Sequence, residues 1–177
     1  MVINSNKRDF KANKLKIGTR GSPLALAQAL EVKKEIIKHH KLNDQSVEII
    51  SISTKGDRVT DRPLTEIGGK GLFTEEIENK LFHNEIDIAV HSMKDMPTEF
   101  PTGLGINTFL KREDFRDSFV SLKYNSINEL PVGAVVGSSS IRRKAQLLSI
   151  RPDLKVVEFR GNVQTRLKKL EDGIADA

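Results

Sequence analysis

Apolar residues along the chain switch between two spacings, one of about 2 and one of about 3.6, which are the periods of half-buried strands and of helices. KLKIGT (14–19) reads as a strand, and Ser22 followed by Pro23 is an N-cap and first-turn pair that opens a helix running to about His39. Ala25, Ala29, Val32 and Ile36 fall on one face of that helix. SVEIISIST (46–54) alternates as a strand and leads into a polar loop rich in Asp and Arg. Beyond IGGKG, Phe73, Ile77 and Leu81 recur at helical spacing, with Glu75 and Glu76 suited to a first turn. DIAVHS, GLGINTFL (103–110) and DSFVSL (117–122) follow as strands, and Ser126 to Glu129 is a capping box for a short helix. The pattern then gives AVVGSS (134–139) as a strand, IRRKAQLLS as a helix and KVVEFRG (155–161) as a strand. NVQTRLKKLEDG closes it as a helix with Val163, Leu167 and Leu170 inward and Gly173 as its stop. Such alternation predicts an α/β fold.

Two segments echo each other. KIGTRGSPLALAQ and VVGSSSIRRKAQ each run strand, Gly, hydroxyl residues and Arg, then a helix with Gln in its first turns. FHNEIDIAV and LEDGIADA each leave a helix through an acidic turn into an apolar strand. These echoes predict two similar α/β lobes, residues 14–110 and 117–177, joined by a hinge at 111–116 with a cleft between them. The first thirteen residues, MVINSNKRDFKAN, read as a flexible basic tail.

Composition narrows the function classes. The 177 residues are 37% apolar and 30% charged, a globular balance, and no apolar run approaches the ~18 residues of a spanning helix. The N-terminal residues have no apolar core that would serve as a secretory signal, so a cytoplasmic location and no membrane partner are expected. There is no cysteine, which excludes disulfides, thiolate metal sites and a thiol nucleophile within these residues. The net charge of +5 raises nucleic acid as a partner, but the basic residues form no run and there is one Tyr and no Trp to stack on bases. Nucleic acid is therefore not the expected ligand.

The placement of the basic residues says more than their sum. Arg20, Arg142 and Arg143 follow a strand and precede or open a helix, Arg160 ends a strand, and Lys70 sits in the glycine loop at a helix start. In open α/β sheets ligands bind at that edge, where free amides, hydroxyls and guanidinium forks suit carboxylates or phosphates. Any one of these arginines taken alone is a solvated surface charge, but five basic residues at equivalent edges point to a ligand with several negative groups. Other motifs fall away. GGKG lacks the GxxxxGK[ST] spacing of a phosphate loop, His39, His40 and His83 give no metal ligand set, and Ser92 beside His91 has no GxSxG elbow.

AVHSMKDMP (89–97) stands apart from this anion-directed pattern. Pro97 disfavours helix at Met96, so Lys94 and Asp95 are expected on a loop at the strand edge. A carboxylate among anion-binding groups repels the ligand, which serves simple binding poorly but suits a reaction in which a cation develops. Asp95 would protonate a leaving amine and then stabilise the cation that remains. The alternative at this point is an ion pair of Asp95 with Lys94 or Arg20 that is only structural.

TRGSPLALAQ, GGKGLFTEEIE, DIAVHSMKDMP, KREDFRDSFVS, VGSSSIRRKAQL and RGNVQTRLKKL, in this order, closely resemble the porphobilinogen deaminase (hydroxymethylbilane synthase) family from Leu15 to Ala177. The resemblance implies two lobes like periplasmic binding proteins and a third domain carrying a dipyrromethane primer on a cysteine. It implies a transferase of tetrapyrrole (haem) biosynthesis that joins four porphobilinogen molecules head to tail with release of ammonia, the complete enzyme being a monomer. Carried over residue by residue, Asp95 is the catalytic carboxylate, and Arg20, Arg160 and Arg166 are substrate-binding. Ser22, Lys70, Lys94, Ser138, Ser139, Ser140, Arg142 and Arg143 match cofactor-contacting positions, and no metal is implied. Phe115 stands where the family commonly has proline, and Ser138 where threonine is frequent.

The resemblance also sets expectations for the chain as it stands: a second lobe cut short after GIADA, no third domain, no cysteine for the primer, and no activity of residues 1–177 alone. The rival reading is a two-lobed carboxylate-binding module without catalysis, which would want neither Asp95 nor a primer.

Overall fold

The computed structural model describes residues 2–4, 14–58 and 71–177, which divide into two compact units, 1–111 and 112–177. In the first unit a five-stranded sheet has the order β3-β2-β4-β1-β5, built from β1 (Val2–Asn4), β2 (Leu15–Arg20), β3 (Val47–Ile52), β4 (Ile88–Ala89) and β5 (Leu104–Ile106). The helices of this unit are α1 (Pro23–His40), α2 (Lys55–Arg58) and α3 (Glu75–Phe82). Strand β2 pairs in parallel with both β3 and β4, and the strand-to-helix connections that parallel pairing requires are α1 and α3. This is the mixed α/β architecture with parallel strands that the alternation predicts.

Each helix covers its own part of the core. Ala29 and Val32 of α1 are buried with Leu15, Ile17, Val47, Ile88 and Val90, and Ile36 and Ile37 pack against the same cluster. Ile77 and Leu81 of α3 bury with Ile52, Ile86 and Ala89. Strand β2 is buried along almost its whole length, as expected of a strand flanked on both sides. Ser22 caps α1, its Oγ accepting from the Ala25 N–H at 3.3 Å, and Pro23 occupies the first helical turn.

Residues 2–4 correct one expectation. The sequence of 1–13 suggests a flexible basic tail, yet within it Val2–Asn4 forms β1, antiparallel to both β4 and β5. Three residues of VIN are enough to bridge two strands whose edges would otherwise go unpaired. Residues 5–13 lie outside those described.

In the second unit β6 (Val135–Gly137) and β7 (Lys155–Val157) pair in parallel, with α4 (Ile141–Ile150) between them and α5 (Val163–Glu171) after β7. Leu130, Ala134, Val136 and Leu154 form its buried core. DSFVSL is not a strand: Val120 and Leu122 are exposed, and the Ser121 hydroxyl donates to the Asp176 carbonyl instead of the backbone joining a ladder. The capping box at Ser126 forms only a 3-10 turn, Ile127–Glu129, in which Glu129 accepts from the Asn125 N–H at 2.9 Å. Leu170 is buried as expected, but Val163 and Leu167 are partly exposed and line a cavity. Arg151 ties the unit together, donating to the Ile127 and Leu130 carbonyls at 2.8 and 2.9 Å and to both oxygens of Asp153.

The echo of the two acidic turns is exact in its hydrogen bonding. Helix α3 ends with Asn84 at φ 54° and helix α5 with Gly173 at φ 73°, both in the left-handed region. Glu85 N–H bonds the Lys80 carbonyl and Ile174 N–H the Lys169 carbonyl, the six-to-one bond of a Schellman stop. Three residues after each left-handed position an aspartate clasps a strand. Lys16 N–H donates to Asp87 Oδ2 at 2.9 Å and Val135 N–H to Asp176 Oδ2 at 2.8 Å. In return Asp87 N–H bonds the Lys16 carbonyl and Asp176 N–H the Val135 carbonyl.

Two tests follow from these contacts. Asp87→Ala leaves the Lys16 N–H without its acceptor and should cost about 1–3 kcal/mol in equilibrium urea unfolding; an unchanged midpoint would mean the clasp is incidental. Arg151 holds the Asp153 carboxyl down at about 2, against its ordinary 3.8. A carboxyl with a depressed folded value stabilises above its unfolded value and loses that contribution as pH falls through the folded one. The thermal midpoint of Asp153→Asn should therefore lie below wild type at neutral pH, and the gap should close between about pH 4 and 2. A gap independent of pH would show that the ion pair is not its source.

Candidate functional site

Parallel β2, β3 and β4 bring their carboxyl ends to one edge of the first unit, and the loops that leave those ends converge there. Arg20 ends β2. Its Nε and Nη2 face the Asp57 carboxylate, with Nε to Oδ1 at 3.1 Å and to Oδ2 at 3.3 Å. Its Nη1 lies 3.8 Å from Asp95 Oδ2, and its guanidinium plane stacks on Phe73, 4.0 Å from the ring centroid. Phe73 reaches this position because residue 56 is glycine: a Cβ there would lie 2.2 Å from the ring.

Asp95 sits on a 3-10 turn, Met93–Asp95, just after β4, closed by Asp95 N–H to the Ser92 carbonyl at 2.9 Å. Ser92 anchors the turn to α1 by donating its hydroxyl to Gln28 Oε1 at 3.0 Å. Lys94 is exposed on the same turn. The Asp95 side chain keeps 28% of its surface accessible, so it is reachable by a ligand while lying beside a guanidinium. His91, at the end of the strand run, has its imidazole pushed down to about 4, by burial first and by the Arg20 charge in addition. It is a neutral ring at physiological pH and adds no charge to the edge.

Burial pushes the Asp57 carboxyl up, but hydrogen bonds from Arg20 and Thr54 outweigh it and hold the group below the usual carboxylate value. Asp57 carries no mark of its own in the sequence pattern, and Phe73, which the spacing assigns to a helix face, lies before the helix start at Glu75 and stacks on Arg20 instead. The available signal was TKGDR (54–58), a charged segment just beyond the end of β3 at Ile52.

The second unit gathers a different chemistry. Ser138, Ser139 and Ser140 follow β6, and each hydroxyl oxygen accepts a backbone N–H: from Ser140 at 3.3 Å, Phe159 at 3.1 Å and Arg143 at 3.3 Å respectively. Oxygens already used as acceptors leave their own O–H protons to donate. Arg143 pairs with Asp117 at 2.6 Å, and Arg142 is exposed on the first turn of α4. A cavity of about 640 Å³ lies within this unit, with Ser138, Arg143 and Arg166 among its polar walls and Leu147, Phe159 and Leu170 among its apolar ones. Arg166 Nε is buried and has no hydrogen-bond partner among the described residues. Arg160 is half-buried and its carbonyl accepts from Lys169 Nζ at 3.0 Å.

The structure thus brings Arg20 and Asp95 together in the first unit, and Ser138, Arg143 and Arg166 together in the second. Ser22 is occupied as a helix cap, Ser139, Ser140, Arg142 and Arg160 are not among the cavity walls, and Lys70 lies outside the described residues. Among the described residues no group of His, Asp and Glu is arranged to hold a metal ion, and no helix is long and apolar enough to cross a membrane.

In this mixed α/β chain the parallel edge of the first unit carries a guanidinium between two carboxylates, and the second unit carries hydroxyl and guanidinium donors. Residues 15–177 match the family described as "Porphobilinogen deaminase, dipyromethane cofactor binding domain", and the chain belongs to that family. The porphobilinogen deaminase of Paracoccus denitrificans (strain Pd 1222) is 66% identical over 165 residues, which is 93% of this chain and 53% of that relative. The chain therefore spans about half the length of the curated relative it matches.

The neutral state of His91 is directly measurable. Its ring signals in an NMR titration should stay flat between about pH 5.5 and 8, and a midpoint near the ordinary 6.5 would show that burial does not control the ring.

Proposed function

We propose that this chain carries the catalytic carboxylate and primer-binding residues of a porphobilinogen deaminase, which condenses four porphobilinogen units head to tail with loss of ammonia. The observation that carries the reading is Asp95, an accessible carboxylate 3.8 Å from Arg20 on a turn fixed by Ser92 and Gln28. Porphobilinogen bears acetate and propionate arms and an aminomethyl group. When the carbon–nitrogen bond breaks, nitrogen leaves with its electron pair and takes a proton, and positive charge remains on the pyrrole methylene. Asp95 serves both events, first handling the proton of the departing amine and then, ionised, stabilising the cation. The α-carbon of the receiving pyrrole closes the new bond, and its displaced proton passes to the same carboxylate.

The second unit supplies what the acidic arms need. Ser138, Ser139 and Ser140 have hydroxyl protons to donate, Arg142 is exposed, and the buried Nε of Arg166 is an orphaned donor on a cavity wall. This donor set fits a dipyrromethane group bearing carboxylates, and these residues with Arg143 would hold it. When bound, that group would supply the pyrrole carbon to which the first porphobilinogen is joined. Residues 1–177 contain no cysteine, so thioether attachment of the primer needs a cysteine outside them. Two lobes with a third domain, a monomeric complete enzyme and a cytoplasmic location belong to the same reading.

The test uses the protein from its complete gene. Asp95→Ala should bind porphobilinogen yet release ammonia at least ~10²- to 10⁴-fold more slowly than wild type, the range for loss of a general acid. Near-normal ammonia release from the variant removes the role. A wild-type protein that binds porphobilinogen and releases no ammonia at all would favour a non-catalytic carboxylate-binding module.

A further inference from the structure

Four donors converge on the Asp57 carboxylate: the Thr54 N–H at 3.2 Å, the Thr54 hydroxyl at 2.7 Å, and Nε and Nη2 of Arg20. Thr54 is fully buried, and the Asp57 N–H bonds back to the Thr54 carbonyl at 3.0 Å. A carboxylate held on its own backbone turn and on a buried hydroxyl cannot swing away as a placeholder for an incoming anion. The Arg20 fork is thereby committed, and its face is committed as well, to Phe73. Only the Nη1 end points elsewhere, toward Asp95.

We propose that Asp57 is a positioning residue for Asp95, acting through Arg20; the inference rests on the reading of Asp95 as the reacting carboxylate. Two physical consequences follow. Arg20 is held at 3.8 Å from Asp95, a distance at which it orients the carboxylate without closing a full ion pair. In addition, Asp57 balances the guanidinium charge, so the negative charge of Asp95 stays available to a substrate cation. Without Asp57, Arg20 is free to close on Asp95 and consume that charge in a salt bridge. A substrate carboxylate meets Arg20 through Nη1 alone.

The test again uses the protein from its complete gene, with wild type, Asp57→Asn, Arg20→Gln and the double variant. Asp57→Asn should lower kcat for porphobilinogen by at least about tenfold with KM nearly unchanged, as expected for displaced reacting groups rather than lost binding. In the Arg20→Gln background the same change should cost less than about twofold, since Asp57 acts only through Arg20. An unchanged kcat, or an equal loss in both backgrounds, overturns the proposal. A second readout does not depend on turnover: the Arg20 Nε–H proton should exchange slowly with water in wild type and fast in Asp57→Asn. Fast exchange in wild type overturns the proposal by itself. A wild type that never releases ammonia would sink the porphobilinogen reading, while the Nε–H signal would still decide whether Asp57 holds Arg20.

Discussion

The ion pair between Arg20 and Asp57 organises the reactive edge of the first unit. Parallel pairing places the ends of β3, β2 and β4 side by side, and one guanidinium at the end of the middle strand meets a residue from the loop after each neighbour. It also stacks on Phe73, which leads into α3. With side-chain exposures of 22% and 26%, the pair is neither a surface contact that salt would screen nor a fully desolvated one. Thr54 holds the carboxylate independently of Arg20, through its hydroxyl and N–H. The resulting edge pairs the Arg20 charge with Asp57 and leaves Asp95 accessible beside it, with Lys94 exposed on the same turn.

The two units show one local frame carrying two chemistries. In both, a helix ends in a left-handed residue, a six-to-one hydrogen bond stops it, and an aspartate three residues later clasps the start of a strand, at Lys16 in β2 and at Val135 in β6. Hydroxyl residues lie at or just beyond the end of both strands, before a serine-capped helix, Ser22 for α1 and Ser140 for α4. What differs is the strand end itself: Thr19 and Arg20 in one unit, Ser138 and Ser139 in the other. The shared clasp fixes where the end lies, and the side chains placed there differ, a guanidinium in one unit and hydroxyls in the other. Residues that only hold backbone are thus separated from residues that face a ligand, although they lie within a few positions of each other.

Periodicity made the core readable. Ala29, Val32, Ile77 and Leu81 fall where their spacing puts them because burial of one face decides a helix, and Ser22 with Pro23 marks a helix start by local chemistry alone. The acidic turns were legible for the same reason, since Asn84 and Gly173 act within their own helix ends. Strand extent was less legible, because pairing depends on a distant partner. DIAVHS yields only Ile88–Ala89 as strand, DSFVSL none, and Val2–Asn4 becomes a strand through neighbours far along the chain. Arg20 and Asp95 carried signals in their motifs, whereas the contacts of Asp57 and Phe73 with Arg20 join residues far apart in the chain and emerge only when the edge is packed. For Arg166, the signal was a family motif, and its orphaned Nε emerges only when α5 is packed.

The most direct measurement is an NMR titration of the complete protein with porphobilinogen, following the Asp95 amide and both kinds of Arg20 side-chain N–H. The account predicts that the Asp95 amide and the Arg20 Nη signals shift saturably, while the Arg20 Nε–H signal held by Asp57 keeps its position and its slow exchange. Loss of that Nε–H signal on saturation would show substrate taking the fork from Asp57, and silence of all three would place the reaction elsewhere on the molecule.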